Sequence, residues 1–259
     1  MNITITDMNM LTAFWLMFLR WGASLVQLPH FDEAAIPGRV KVLLSFVFTF
    51  GFAKYLMPIV LEDLAFIGAE NYWILAIYYV LMGLVVGYFV KSIMFVFQIA
   101  GSLITQQIGF SMLNYFDPNA GQQVGPFEKL IKWTILIMII TTPALTPMIK
   151  GLIQSFYFLS IKNFFSGQIH FDMFFTFFKG ILLSAIVLAS PLIFTNVLIS
   201  CLLGVIARTV PQMNVIMVSF VINIGLGLLV FIAISNEFFE VAFNMYVNKL
   251  GVWFRMLRI

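Results

Sequence analysis

The chain has 259 residues, of which 62% are hydrophobic and 10% charged, and its formal net charge is +3. A soluble domain holds about 25% charged and roughly 45–50% apolar residues, so a water-soluble fold of this size is excluded by the apolar area it would leave uncovered. The 14 Lys and Arg residues form no run of five or six, which excludes a nucleic-acid footprint, while a small positive excess suits anionic lipid head groups.

Six hydrophobic segments follow one another at residues 8–28, 40–60, 72–100, 130–148, 174–206 and 215–235. Each is close to or above the roughly 20 helical residues that cross about 30 Å of hydrocarbon. Uninterrupted apolar runs predict helices, because barrel strands would alternate polar and apolar residues. The expected fold is an all-α integral membrane protein, one membrane domain over residues 1–259. No Lys or Arg precedes the first segment and Arg20 comes late in it, so this segment is expected to belong to the mature protein and not to a cleaved signal.

The connections carry turn chemistry. Residues 29–38 hold two prolines with Asp32 and Glu33, and residues 62–71 are acidic. The third segment contains Gly83 and Gly87, a small-xxx-small spacing that lets another helix approach closely; Gly225 and Gly227 offer the same in the sixth. Residues 100–126 are long, polar and glycine-rich. They suit an ordinary aqueous loop, or a flexible element that occludes a pore, since irregular backbone at membrane depth is tolerated only beside protein or water. In the second case Gly109, Gly121 and Gly125 supply backbone freedom, and Phe110, Met112 and Phe116 could seal a constriction by dewetting. Pro143, Pro147 and Pro191 are candidate helix breaks. The tail, residues 236–259, mixes charged and aromatic residues as an interfacial helix would.

Four basic residues lie within or near apolar stretches. Lys54 and Lys179 are near segment ends, where a long stem reaches the head groups. Arg20 and Lys91 lie deeper and point to a structural ion pair or a polar subunit interface. No carboxylate falls in the middle of a segment, which speaks against a proton-driven pump. Basic residues divide evenly, five on each side (Lys150, Lys162, Lys249, Arg255 and Arg258 against Arg39, Lys41, Lys129, Lys132 and Arg208), so loop charge sets no orientation. His30 and His170 stand in separate loops, and Cys201 reads as a small buried hydrophobe. No nucleophile elbow, phosphate loop or paired-histidine motif occurs, so neither catalysis nor a cofactor or metal is expected.

Several phrases together resemble the FliR/SctT family of type III secretion export-gate subunits. They are Leu19-Arg20, Pro29, Pro37 and Arg39-Val40-Lys41; then Gly83, Gly87, Gly101, Gln107-Ile108-Gly109-Phe110-Ser111 and Asp117-Pro118; then Ala189-Ser190-Pro191-Leu192, Leu203-Gly204, Arg208 and Pro211-Gln212-Met213-Asn214-Val215. The order is right, most of the chain is covered, and the last phrase leans towards the flagellar branch over the injectisome branch. The resemblance implies a non-enzymatic subunit in a bacterial inner membrane, at the flagellar basal body. There, kinked helical hairpins pack with FliP-type and FliQ-type subunits around a channel for unfolded proteins, beside FlhB-type and FlhA-type components. It implies a FliP-like half (1–150), a FliQ-like half (151–259) and a plug loop at about 109–126 that includes Ser111, Asp117 and Pro118. Arg20, Gly83, Gly87, Lys91, Arg208, Pro211 and Gln212 are the expected packing and subunit-interface residues. A small-molecule permease is the competing reading, but no matching pair of broken helices marks an inverted repeat.

Overall fold

The computed structural model describes residues 8–29, 36–110, 125–165, 171–210 and 214–256. Among these residues every regular element is helical: α1 (Met8–Gln27), α2 (Gly38–Ile67), a 3-10 turn (Ala69–Asn71), α3 (Tyr72–Ile108), α4 (Pro126–Thr141), α5 (Leu145–Phe158), α6 (Ile161–Phe165), α7 (Phe171–Thr209) and α8 (Val215–Met256). The chain divides into two compact units built from discontinuous stretches. The first holds Met1–Ser92, Pro143–Phe175 and Lys249–Ile259, and the second Ile93–Thr142 and Thr176–Asn248. Both units therefore draw on both halves of the chain.

Among the described residues four helices are long and apolar enough to cross a membrane: Gly38–Ile67, Tyr72–Ile108, Phe175–Thr209 and Met217–Phe254. A fifth appears if α4 and α5 are counted as one broken span. The sequence suggests six. The first of those segments, α1, falls short because Asn9, Arg20 and Gln27 dilute its apolar residues within only 20 positions. The fourth is not continuous but breaks at residues 142–144. Thr142 is extended (φ −107°, ψ 164°), as the residue before a proline must be, and Pro143 has no N–H to carry the helix on. Pro191, by contrast, sits inside an unbroken α7. Its missing N–H frees the carbonyl of Val187, and the Ser190 hydroxyl donates to that oxygen at 2.7 Å, the hydroxyl repair that keeps a proline tolerable in an apolar helix.

The tail does not form a separate interfacial helix. It is the end of the 42-residue α8, and its aromatic residues dock within the first unit. Trp253 stacks face to face on Phe89 at 4.2 Å, and the Phe254 ring fills the space where a side chain on Gly151 would lie. The rest of this unit's core joins the α1–α2 hairpin to α5 and the first part of α3. Trp21, 1% exposed, lies against Phe48, Phe52 and Phe156 with centroids 5.1, 5.8 and 5.7 Å away, inside the 4.5–7 Å range of favourable ring pairs. In the second unit, Gly101 of α3 lets α4 approach until an added Cβ would be 2.5 Å from the Cα of Glu128.

Candidate functional site

Two groups of residues concentrate the chain's polar and conformationally special positions. The first, in the second unit, is the mouth of the segment that joins α3 to α4. α3 ends in Gly109, whose φ of +92° lies where residues with a Cβ are strained. Phe110 follows and meets Phe127 of α4, ring centroids 5.8 Å apart. Phe127 in turn meets Phe231 of α8 edge-on at 4.9 Å, and Phe231 meets Phe238 at 5.5 Å. On the returning side Gly125 caps α4, with Pro126 at its first helical position where the missing N–H costs nothing. A Cβ on Gly125 would be 2.6 Å from the Thr105 hydroxyl. The segment therefore leaves and rejoins the helices at adjacent points, clamped by an aromatic ladder. Beside it the Asn196 amide donates to the Gln107 side chain, a polar pair between apolar helices. Of the expected plug residues, Gly109, Phe110 and Gly125 belong to this mouth; Ser111, Met112, Phe116, Asp117, Pro118 and Gly121 lie outside the described residues.

The second group is a buried polar corner in the first unit. Arg20 is 1% exposed. Its guanidinium donates to the Ser155 carbonyl at 2.6 Å, the Ser155 hydroxyl at 3.1 Å and the Leu159 carbonyl at 3.1 Å, and lies over the Phe156 ring at 4.3 Å. It thus caps the last carbonyls of α5, where a cation also meets the negative end of the helix dipole. Tyr78 adds its hydroxyl to the Leu159 and Ser160 carbonyls at 3.3 Å each. Asp63, 2% exposed, accepts from Tyr79 at 2.8 Å and from the Ile161 N–H at 3.4 Å. The sequence reading of Arg20 as an ion pair or subunit contact is replaced by intramolecular capping. It also missed Asp63 by ending the second span at residue 60, although Leu64, Phe66 and Ile67 continue the apolar pattern up to the Gly68 cap (φ 89°).

Gly83 and Gly87 join this corner through the α1–α3 seam. An added Cβ on Gly83 would be 2.6 Å from the Arg20 carbonyl oxygen and 2.8 Å from the Ala23 Cβ; on Gly87 the distances are 2.6 Å to the Ser24 carbonyl oxygen and 2.8 Å to the Gln27 Cβ. Ser24 crosses the seam to donate to the Gly83 carbonyl at 3.1 Å. Lys91, Arg208, Lys54 and Lys179 are exposed. Cys201 is exposed too, against the expectation of a buried one. Pro211, Gln212, His30 and His170 lie outside the described residues. Among the described residues no three His, Cys, Asp or Glu gather as a metal site requires.

The polar groups brought together here hold helix ends and close a loop mouth, and the fold around them defines an all-α integral membrane protein whose specialised positions serve packing. Residues 11–248 match the family model described as "Bacterial export proteins, family 1", and the chain belongs to that family of export proteins, which is not a family of enzymes. It is similar to the "Flagellar biosynthetic protein FliR" of Bacillus subtilis (28% identical, covering 92% of each chain). It is also similar to the protein of that name in Escherichia coli (25% identical, 92% of this chain and 90% of the relative). A third relative is the "Yop proteins translocation protein T" of Yersinia pestis (24% identical, 86% and 85%).

Proposed function

We propose that the chain is one subunit of a flagellar type III export gate in the bacterial inner membrane at the basal body. There it would assemble with FliP-type and FliQ-type subunits, next to FlhA-type and FlhB-type components, around a channel for unfolded proteins. Residues 1–150 supply its FliP-like half and residues 151–259 its FliQ-like half. The family description supports the export role, the names of the flagellar relatives support the flagellar setting, and one structural observation supports the subunit role. Exposed apolar side chains run along α7 from Phe175 to Ile206 and along α8 from Met217 to Val247, about 47 and 45 Å of helix axis. Even tilted by 40°, such stretches exceed the roughly 30 Å of hydrocarbon. The excess needs protein around it, and one copy of this chain does not supply it.

In this reading the 109–126 segment is a plug, clamped at its mouth by Phe110, Phe127 and Gly125, and the Gly83/Gly87 seam keeps the first unit rigid while neighbours assemble. Lys91, Arg208, Pro211 and Gln212 remain the proposed contacts with other subunits. The Yersinia relative supports an injectisome as the alternative machine.

Deleting the gene in its own bacterium and following secreted proteins separates these. Loss of flagellar proteins from the medium, restored by a plasmid copy, supports the flagellar gate. Loss of injected effectors with motility intact supports the injectisome, and unchanged secretion of both overturns the export reading.

A further inference from the structure

We infer that a groove among α1, α2 and α3 binds one anionic phospholipid, with an acyl chain along its apolar walls and the phosphate on Lys41. The groove has a volume of about 710 Å³ and is lined by Phe18 and Val26 of α1, Lys41 and Val42 of α2, and Val80 and Leu84 of α3. All lie in the first unit. Its size falls among ligand sites, about 300–1,000 Å³. The floor stays open because Gly22 has no side chain, its nearest neighbour across the gap being the Ser45 hydroxyl at 3.6 Å from an added Cβ.

What makes the groove selective is its one cation. Lys41 is 5% exposed and lines the groove, and its ammonium has no hydrogen-bond acceptor among the described residues. An ammonium that lines an apolar groove with no acceptor among the described residues is complementary to an anion. The backbone adds to this. Lys41 stands in the first turn of α2, whose N-terminus has no side-chain cap at Pro37 and no acidic residue in that turn, so the positive end of the helix dipole adds to its charge. An apolar trough lined by a single positive charge matches an amphiphile with a phosphate, and in a membrane protein the amphiphile at hand is lipid.

The test uses the full chain in mild detergent, analysed by native mass spectrometry after equal additions of palmitoyl-oleoyl phosphatidylglycerol or phosphatidylcholine. One Lys near a lipid phosphate gives roughly a fivefold preference for the anionic lipid, carried by a single retained molecule. Lys41→Gln is expected to abolish that preference, whereas Lys54→Gln, the same charge change on the exposed side of α2, leaves it intact. Excess inorganic phosphate is expected not to displace the lipid, since the chain is held by the groove; displacement would mean a phosphate site only. Equal retention of both lipids, or equal loss in both lysine variants, overturns the proposal. Should Lys41→Gln fail to fold, the preference of the unaltered chain and its loss in Gly22→Leu, which fills the groove floor, decide the matter.

Discussion

Replacing Gly83 by alanine puts the packing account under the most direct strain. The added methyl would lie 2.6 Å from the Arg20 carbonyl oxygen and 2.8 Å from the Ala23 Cβ. Both neighbours belong to helix α1 and are not flexible side-chain ends, so the seam must open by about 0.8 Å to reach ordinary contact, losing dispersion along its length. Overpacking of this kind costs roughly 1–3 kcal/mol, and the better helix propensity of alanine returns at most about 1 kcal/mol. The expected net loss is about 1–2 kcal/mol for Gly83→Ala or Gly87→Ala. The double variant should lose less than the sum, because one displacement relieves both clashes. Gly51→Ala is the control: nothing lies within 4 Å of its added Cβ, so it should gain up to about 1 kcal/mol. Reversible denaturation of the purified chain in mixed micelles reads all four. If Gly83→Ala is as stable as Gly51→Ala, the close α1–α3 seam is refuted.

Arg20→Met removes three hydrogen bonds from a charged donor, leaving the Ser155 carbonyl only the Leu159 N–H and the Leu159 carbonyl only the Tyr78 hydroxyl, so the same unfolding assay should show a loss of about 2–4 kcal/mol. Ser190→Ala unmasks the Val187 carbonyl beside Pro191; about 1 kcal/mol of destabilisation is expected, and none should appear in a Ser190→Ala, Pro191→Ala double variant, where the backbone N–H is restored. Shortening the segment between Phe110 and Gly125 should leave assembly intact while the closed gate leaks small ions, measured as a fall in membrane potential by dye fluorescence. Failed assembly would make the segment structural, and an unchanged potential would remove the plug role.

Much of the architecture is legible in apolar run length, which is why the helical class and the long third, fifth and sixth segments can be read directly. Helix ends are less so, because a charge in the sequence reads as a boundary. Asp63 sits inside α2 since Tyr79 and the Ile161 N–H satisfy it, partners from distant sequence that no local pattern reveals. The α8 tail has the composition of an interfacial helix, yet Trp253 and Phe254 find Phe89 and Gly151 instead. Pro143 and Pro191 show the same limit: one breaks its helix and the other does not, and the difference lies partly in Ser190, a neighbour whose hydroxyl takes the freed carbonyl. Of the site, the Gly83/Gly87 spacing and the glycine-rich segment stand out in the sequence. Arg20 stands out as a charge, but its capping role depends on where α5 ends.

We propose that this chain works as one subunit of a hetero-oligomeric export channel, and one experiment tests that directly. The chain is tagged, co-expressed with FliP-type and FliQ-type proteins of the same bacterium, extracted in mild detergent and weighed by native mass spectrometry. A large complex that contains all three proteins and a single copy of this chain is the expected result. A lone monomer or a homodimer, with the partners expressed but absent from it, would contradict the account.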